Sequence, residues 1–332
     1  ASVESVVEEL VSEDVESIVV SMLFSYLDPT QEQEVGEIIE QIAPQTDYTL
    51  SSTVHPEIRE YERTITTVLN EAIKRQIEDY LQRLNQGIAD RGVDVPLNIV
   101  HSGGGIFTAN EAIDHAIRTV TSGPAAGAVA TKKVATKEGY RDAIGLDMGG
   151  TSADVSLVRD GEIVRSTEGE VNDLPIKTPM IDINTVGAGG GSIAWVDEGD
   201  VLHVGPESAG ADPGPICYGK GGTEPTITDA NLLLGRINPD NFLSGEMDLR
   251  IEKTRELFQD RIADPLGQSV EEAALAVVAV ANASIARRVH NVTVERGDDP
   301  ADFALVGFGG AGPLQTPAVA DRMDMETVLI PR

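Results

Sequence analysis

The chain has 332 residues, of which 41% are hydrophobic, enough to bury the cores of two domains. Its 55 Asp and Glu residues against 25 Lys and Arg residues give a formal net charge of −30. This balance excludes nucleic acid as a partner, because neutralising phosphates requires clustered Lys and Arg side chains.

The first part of the chain alternates helical and strand patterns, which predicts a parallel or mixed sheet with helices on its faces. The long helix has apolar residues on one stripe along its length. The predicted elements are a strand over Ser17–Tyr26, a helix over Gln31–Ile42, a strand over Tyr48–Val54, a helix from Pro56 to about Leu84 and a strand over Leu97–Val100.

The second part predicts the order βββ-αβαβ, which is typical of an RNase H-like domain. Asp160-Gly161 joins two of its strands as a hairpin turn. Ser269 with Glu272 forms a capping box that starts its long helix. The predicted elements are strands over Ala143–Asp147, Ala153–Arg159, Glu162–Ser166, Phe303–Val306 and Thr327–Ile330, with helices after Ser269 and from Pro313 to Ala320.

A glycine turn between the first two of these strands is the strongest functional candidate. Gly149 and Gly150 let backbone N–H groups approach an anion, and the Thr151 hydroxyl can bond a phosphate oxygen. Asp147 can hold the water shell of a Mg²⁺ ion, and Asp154 is a weaker candidate for the phosphate site. A plain hairpin whose glycines supply positive φ angles explains the same residues equally well.

Two further glycine-rich segments follow. Gly309, Gly310 and Gly312 lie between a strand and a helix N-terminus, where a nucleotide can lie against bare backbone. Gly189 and Gly190, within residues 187–192, could wrap a phosphate or form a tight corner before a strand.

Several other polar residues have both a functional and a structural interpretation. His101 precedes Ser102-Gly-Gly-Gly105 and is the best placed of five scattered histidines, whose spacing argues against a histidine metal site. Asp182 could bind a metal or only cap a turn. Arg59 and Arg63 could clamp an anion, although pairing with Glu60 and Glu62 is favoured. Glu207, Asp212 and Asp229 could line a cleft, although exposed loop acids are the favoured interpretation, and Cys217 is expected to be a small buried residue.

Three segments follow one another in an order and spacing that resemble the ATPase superfamily of actin, the heat-shock chaperones and the sugar kinases: Ser122–Ala130, Asp147–Ser156 and Val306–Pro313. Within that superfamily, the chain is most similar to the hydantoinase A / 5-oxoprolinase family, from about Ser21 to Arg332. The strings that carry the resemblance are Glu57–Thr64, Thr121–Gly127, Gly145–Asp154, Asp182–Ile193, Glu207–Gly219 and Pro225–Asn231.

The resemblance implies an α/β fold of two RNase H-like, actin-like lobes with mixed sheets. Residues 1–140 would be a partial first lobe with a connecting helix at 122–138. Residues 141–332 would be the second lobe, in which a Gly- and Pro-rich insertion at about 170–267 forms loops around the cleft. No Asp-x-Gly-Gly-Thr-Phe-Thr-Asp loop, with which the family begins, precedes Gly145. The resemblance therefore implies an internal fragment with a truncated first lobe.

The activity implied by the resemblance is ATP-dependent hydrolysis of a cyclic amide such as a hydantoin or 5-oxoproline. ATP and Mg²⁺ would be the cofactors, and a second, hydantoinase B-like subunit would be the partner. The alternatives are the ATP-using subunit of an acetone or acetophenone carboxylase, and a binding module without turnover of its own. The sequence leaves the substrate and any oligomer undetermined.

Composition completes the predictions. The single cysteine excludes an intramolecular disulfide and a cysteine-cluster zinc site. The acidic, lysine-poor surface is of the kind that keeps halophile proteins soluble at high salt. No apolar run approaches the ~20 residues that span a bilayer, and no signal peptide is visible, which predicts no membrane partner and a cytoplasmic location.

Overall fold

The computed structural model describes residues 2–171 and 174–331. Its α-helices are α1 (Val3–Ser12), α2 (Thr30–Ile42), α3 (Ser51–Val54), α4 (Glu60–Ala89), α5 (Ala109–Asp114), α6 (Ser122–Lys137), α7 (Ile227–Leu233), α8 (Ile251–Phe258), α9 (Asp264–Leu266), α10 (Val270–Val294) and α11 (Gly312–Arg322). Its strands are β1 (Ser17–Val20), β2 (Asp47–Leu50), β3 (Asn98–Val100), β4 (Ile106–Thr108), β5 (Ala143–Met148), β6 (Ala153–Arg159), β7 (Glu162–Ile163), β8 (Arg165–Val171), β9 (Leu174–Ile181), β10 (Ile183–Val186), β11 (Ser192–Val196), β12 (Leu202–Ser208), β13 (Ala304–Phe308) and β14 (Val328–Leu329).

The chain divides into two compact units. The first contains the described residues of Ala1–Ala126 and Arg165–Ile181, and the second contains those of Gly127–Val164 and Asp182–Arg332. The division therefore falls inside α6, and the second unit is interrupted by β8 and β9. The boundary between two lobes that the sequence predicts near residue 140 is a different division of the chain, and it stays a prediction.

The second unit is built on one mixed sheet in the order β10-β6-β5-β13-β14, with β7 also paired to β6. Strands β5, β6 and β10 are antiparallel, whereas β5, β13 and β14 are parallel. Leu146 and Val155 of this sheet share a core with Val277 and Ile285 of α10 and Val319 of α11. These elements match the predicted βββ-αβαβ order.

Local signals in the sequence correctly located several ends of elements. Asp160 and Gly161 form the turn between β6 and β7 with φ angles of 53° and 79°. At the start of α10, the backbone N of Ser269 donates to a Glu272 carboxylate oxygen at 2.9 Å, and the backbone N of Glu272 donates to the Ser269 hydroxyl at 3.3 Å. The residues that form the turn, and those that form the cap, lie within four positions of each other in sequence. The sequence alone could therefore specify both features.

The third strand of the sheet differs from the prediction of one strand over Glu162–Ser166. Strand β7 pairs only with the end of β6, at Val158 and Arg159. The rest of β6 pairs with β10, which returns to the sheet after β8 and β9. Strands β7 and β10 therefore share the position next to β6 in the sheet. Between them, the chain leaves the sheet and forms the antiparallel pair β8–β9.

The segment at about 170–267 was predicted to form loops, and this was wrong in part. It contains β9–β12 and the helices α7, α8 and α9. Strands β9 and β12 have 8 and 7 residues, so length does not explain the failure, and pairing with distant segments decides these strands. The start of α7 did carry a readable signal, since Thr226 and Asp229 form a capping box.

The first unit contains the parallel pair β1–β2 and the antiparallel pairs β3–β4 and β8–β9. Val7 of α1, Ile39 of α2 and Val20 of β1 form a buried cluster there. The predicted strand over Tyr48–Val54 ends at Leu50, because the carboxylate of buried Glu32 accepts from the Ser51 hydroxyl at 2.6 Å and the Ser52 N–H at 2.8 Å and holds α3 in place.

Three other predicted ends in this unit were wrong. Helix α4 ends at Ala89 instead of about Leu84. Strand β1 ends at Val20 instead of Tyr26. The long helix α4 begins at Glu60 instead of Pro56, since Arg59 before it has a φ of 77° that no helix accommodates.

Candidate functional site

Three glycine-rich segments of the second unit meet around the end of β5. They are residues 147–152 after β5, residues 187–192 before β11, and residues 309–312 after β13. In the sheet, Asp147 lies opposite Asp154 of β6 on one side and Phe308 of β13 on the other. The carboxyl end of β5 therefore brings together the segments that the sequence suggested separately.

The segment at 187–192 is hydrogen-bonded to the loop after β5. The backbone N–H of Gly190 donates to the Gly149 carbonyl at 2.9 Å, and that of Gly191 donates to the Gly150 carbonyl at 2.6 Å. Thr228 of α7 donates to the Gly190 carbonyl through its backbone N–H at 2.7 Å and its hydroxyl at 2.8 Å. This network fixes two of the three segments as one backbone framework.

The segment at 309–312 reaches the same strand end from the other side. Gly309 has a φ of 81°, a backbone angle that residues other than glycine rarely adopt. The backbone N–H of Ala311 donates to the Met148 carbonyl at 2.9 Å. Helix α11 starts immediately afterwards at Gly312, so its free N-terminal N–H groups lie beside the end of β5.

The glycines fall into two groups. A Cβ on Gly189 would lie 2.5 Å from the Ser152 backbone nitrogen, and one on Gly309 would lie 2.5 Å from Asp147 Oδ1. By contrast, a Cβ on Gly149, Gly150 or Gly310 would meet nothing within 4 Å. The first group is needed where loops of the chain itself approach closely, whereas the second exposes backbone to open space.

Gly190 and Gly312 have intermediate surroundings. A Cβ on Gly190 would lie 2.8 Å from the Thr228 hydroxyl, and one on Gly312 would lie 3.3 Å from the Leu146 carbonyl. Both residues are buried, whereas Thr151 is exposed at the tip of the loop. All eight residues predicted to bind nucleotide lie around the end of β5, although only some of them face open space.

Two carboxylates give this site its charge. Burial, and then the charge of Asp154, raise the pKa of Asp147 above its usual value. No described residue donates a hydrogen bond to Asp147, whereas Asp154 accepts one from the Thr185 hydroxyl at 2.6 Å. Asp147 therefore keeps unshared acceptor oxygens beside open backbone.

These features suit a metal ion that is bound together with phosphates. Mg²⁺ in such sites takes one or two carboxylates, several waters and phosphate oxygens. Within residues 2–171 and 174–331, no group of three or more His, Cys, Asp or Glu side chains could hold a metal by itself. Asp147 fits a site in which the metal ion is shared with phosphates. The described residues contain no site in which protein side chains alone would hold a metal.

Other candidates from the sequence have structural roles. Asp229 is buried and caps α7, accepting from the backbone N–H groups of Cys217 at 2.8 Å and Thr226 at 3.0 Å. Burial raises the pKa of the Cys217 thiol, which is buried and free, so a thiolate nucleophile is not formed there. Asp182 pairs with Arg296 and accepts from the Asn184 amide at 3.2 Å. Neither Glu207 nor Asp212 lies in the segments that meet around Asp147.

The two arginines of the Glu57–Thr64 string have different environments. Arg59 pairs with Glu62 at 3.3 Å, as favoured. Arg63 is fully buried and does not pair with Glu60 or Glu62; its guanidinium donates to the Met22 carbonyl at 2.7 Å and the Glu57 carbonyl at 3.0 Å. The prediction for Arg63 was therefore wrong in its partners, because the helix turns this residue into the core.

Sequence reasoning missed Thr185 and Thr228, which fix Asp154 and Gly190 respectively. Both lie in the segment at about 170–267 that was predicted to form loops. Thr228 stands one position before the capping Asp229, so recognition of that capping box would have drawn attention to it. Thr185 has no comparable signal.

No single described helix is long and apolar enough to cross a bilayer. A pair formed by Ile251–Leu266 and Val270–Val294 reaches the required length and composition together, but it is bent by 80°.

The hydantoinase/oxoprolinase family model matches residues 63–332, and the model of that family's N-terminal region matches residues 1–43. The chain is 37% identical to the caprolactamase subunit alpha of Pseudomonas jessenii, covering 100% of this chain and 48% of that protein. It is 35% identical to the 5-oxoprolinase of Saccharomyces cerevisiae, covering 100% of this chain and 26% of that protein.

Solved structures agree with these matches. The ATP-dependent caprolactamase of Pseudomonas jessenii superposes with a TM-score of 0.84 at 36% identity, over 99% of this chain and 48% of that chain. Nucleotide-free acetone carboxylase superposes with a TM-score of 0.82 at 29% identity, over 98% and 46%. The predicted α/β, actin-like ATPase fold is confirmed. The chain spans about half the length of the relatives with solved structures.

Proposed function

The chain belongs to the hydantoinase/oxoprolinase family, and from that premise we propose that it is the nucleotide-binding part of an enzyme that uses ATP to hydrolyse a cyclic amide. The observation that carries the proposal is the meeting of three glycine-rich segments around Asp147, with open backbone at Gly149, Gly150 and Gly310. The similarity to caprolactamase and 5-oxoprolinase supports the cyclic amide as substrate class.

The residues at this site would have different roles in phosphoryl transfer. Backbone N–H groups of Gly149 and Gly150, with the Thr151 hydroxyl, would bind phosphate oxygens. Gly310 and Gly312 would border the nucleoside, beside the N-terminus of α11. Because little covalent chemistry falls to the protein in such a reaction, positioning and electrostatic stabilisation would be its main contribution.

Asp147 would hold Mg²⁺ through its water shell, and a bound Mg²⁺ would neutralise charge on the phosphates. Asp154 would keep the adjacent position acidic, oriented by Thr185. Gly189 and Gly190 would shape the framework around the phosphates, since their backbone is tied to the loop after β5. Asp147 and Asp154 are thus the residues proposed for the catalytic site.

The whole protein would work with a further subunit, as the names of the caprolactamase and acetone carboxylase relatives as subunits suggest. We expect that partner to resemble hydantoinase B and the complex to be cytoplasmic. The acidic surface would keep the chain soluble at high salt.

A second candidate is the ATP-using subunit of a ketone carboxylase. The superposition on acetone carboxylase favours it. Both activities would use the same nucleotide site, so the fold does not separate them. ATP turnover by the full protein with its partner separates them: dependence on 5-oxoproline, a hydantoin or a lactam supports the first, and dependence on a ketone with bicarbonate supports the second.

Titration calorimetry of Mg·ATP into this chain at molar KCl tests the nucleotide site. We expect binding in the unaltered chain and its loss in Asp147→Ala. Asp321→Ala is the matched control, because Asp321 is an exposed acid on α11 without a described partner. Absence of binding in a folded sample, or equal binding by Asp147→Ala, would contradict the proposal and leave the chain as a scaffold.

A further inference from the structure

The first unit contains a group of four basic side chains and one serine that the proposed nucleotide site does not use. Four of its members follow one another in sequence within 18 residues, and the fifth comes from the start of β8. We call this group the basic cluster: it comprises His101, Ser102, His115, Arg118 and Arg165.

One aromatic ring organises the cluster. The imidazole of His101 stacks on Phe107 with ring centroids 4.3 Å apart, and the guanidinium of Arg118 lies 4.9 Å from the centre of the same ring. The His115 ring lies 6.0 Å from it. Backbone bonds complete the group, since Ser102 N–H donates to the Arg118 carbonyl at 2.6 Å.

The glycines of the loop hold the His101 ring in place. A Cβ on Gly103 would lie 2.8 Å from His101 Cε1, and a Cβ on Gly105 would lie 2.5 Å from its Nε2. Arg165 donates to the Gly103 carbonyl at 2.6 Å, which brings a second guanidinium to the loop. Larger residues at these glycines would displace the ring.

The cluster carries positive charge without compensation. Neither Arg118 nor Arg165 forms an ion pair with any described acid. The half-buried Arg118 has no described acidic partner, although the chain has 55 acidic residues against 25 Lys and Arg residues. Burial, and then the charges of Arg118 and Arg165, lower the pKa of His101.

Three buried polar atoms of the cluster have no hydrogen-bond partner among the described residues. The Ser102 side chain is only 1% exposed and its hydroxyl is unbonded, as are the buried Arg118 Nε and His115 Nδ1 atoms. His101 Nδ1 accepts from the Gly103 N–H at 3.0 Å, so the proton of the neutral ring is on Nε2, which can donate. Buried polar atoms are normally hydrogen-bonded, so the unbonded guanidinium Nε, which can only donate, and the Ser102 hydroxyl beside it leave room for an acceptor.

We propose that the basic cluster is a binding site for a small oxyanion, such as a carboxylate or a phosphate group. The Arg118 and Arg165 guanidinium groups would supply the charge, and Ser102 and His101 would add neutral donors. The site belongs to the first unit and shares no residue with the loops around Asp147. The proposal of an anion site can therefore be tested independently of the proposal of a nucleotide site.

The five histidines of the chain provide the measurement. Ring signals of a histidine-labelled sample would be followed by NMR while sodium acetate or inorganic phosphate is added at constant ionic strength and pH. We expect saturable shifts of His101 and His115, with His55, His203 and His290 unchanged. Saturation by acetate alone identifies a carboxylate site, and saturation by phosphate alone identifies a phosphate site.

Substitutions test the donors. Arg118→Gln should weaken binding about tenfold or more, because a charge-assisted hydrogen bond is lost. Should that variant not fold, the exposed Arg165→Gln decides, with a smaller loss expected. Arg83→Gln is the control, since Arg83 is exposed on α4 in the same unit. The proposal is overturned if neither anion gives saturable shifts, or if Arg165→Gln binds as tightly as Arg83→Gln.

Discussion

Two glycine-rich loops of this chain follow short strands but have opposite electrostatics. The loop after β5 has Asp147 and Asp154 beside its glycines, in the second unit. The loop at Ser102–Gly105 has His101, Arg118 and Arg165 beside its own, in the first unit. Glycine gives close backbone access in both, so the charged neighbours decide which ligand each loop suits.

The loops also differ in what their glycines meet. After β5, Gly149 and Gly150 face open space, whereas Gly103 and Gly105 pack against the His101 ring. A glycine-rich motif therefore does not by itself indicate bound phosphate. It indicates that another group lies close to the backbone, and the structure identifies whether that group is a side chain, another backbone segment or open space for a ligand.

The largest effect is expected from a substitution at the tight glycine beside Asp147. Gly309→Ala would place a Cβ 2.5 Å from Asp147 Oδ1 and 2.6 Å from the Met148 carbonyl, at a φ of 81°. We expect the free energy of unfolding to fall by about 3 kcal/mol or more, because both backbone strain and a steric clash arise. Chemical denaturation measures it.

Gly310→Ala is the matched control for that substitution. The Cβ would meet nothing within 4 Å and the φ angle is not positive, so we expect a change of no more than about 1 kcal/mol. Equal losses in the two variants would contradict the division of the glycines into close-approach and open groups.

A smaller effect is expected at the basic cluster. Gly105→Ala would push on His101 Nε2, a side-chain atom that can give way, so we expect a loss of about 1–2 kcal/mol in the free energy of unfolding. Gly123→Ala in α6 is the control, since its Cβ would meet nothing and alanine favours the helix. A Gly105→Ala variant as stable as the unaltered chain would show that the ring is not held by the loop.

Acidification should weaken the first unit selectively. Burial is the main cause that lowers the pKa values of His55, His101 and His115. Groups with lowered folded-state pKa contribute stability that is present above the unfolded value and lost as the pH falls through the folded one. Between pH 7.5 and 5, hydrogen exchange corrected for intrinsic rates should rise in this unit.

Strand β5 of the second unit serves as the internal reference for that experiment. It contains Asp147, whose raised pKa has the opposite sign of dependence. Exchange that increases equally in β5 and around the basic cluster would contradict the assignment of the acid-sensitive step to the histidines.

The smallest effect is expected for Asp147→Asn, and it is stabilising. The folded-state pKa of Asp147 is raised by burial and by Asp154, so its stabilising contribution is present below the unfolded pKa and lost as the pH rises. At pH 7 without nucleotide, the variant should gain about 0.5 kcal/mol in the free energy of unfolding after allowance for solvent screening. The gain should vanish near pH 3, and a loss of stability at pH 7 would contradict the sign.

Much of the fold was predictable where the signals are local. The Asp160-Gly161 turn, the Ser269 capping box and the buried run of β5 each depend on residues close in sequence. Prediction failed where distant residues decide. Strand β2 ends early because Glu32 binds Ser51 and Ser52, and the edge of the sheet is split because β10 returns from far along the chain.

The candidate site divides in the same way. The sequence by itself determined its glycines, its two carboxylates and the acidic character of the chain, since these are properties of residue type and spacing. Only the tertiary structure decided that Gly189 and Gly309 pack against backbone while Gly149 and Gly310 stay open, and that Arg165 joins His101. Those distances depend on the packing of segments far apart in sequence, which no local pattern encodes.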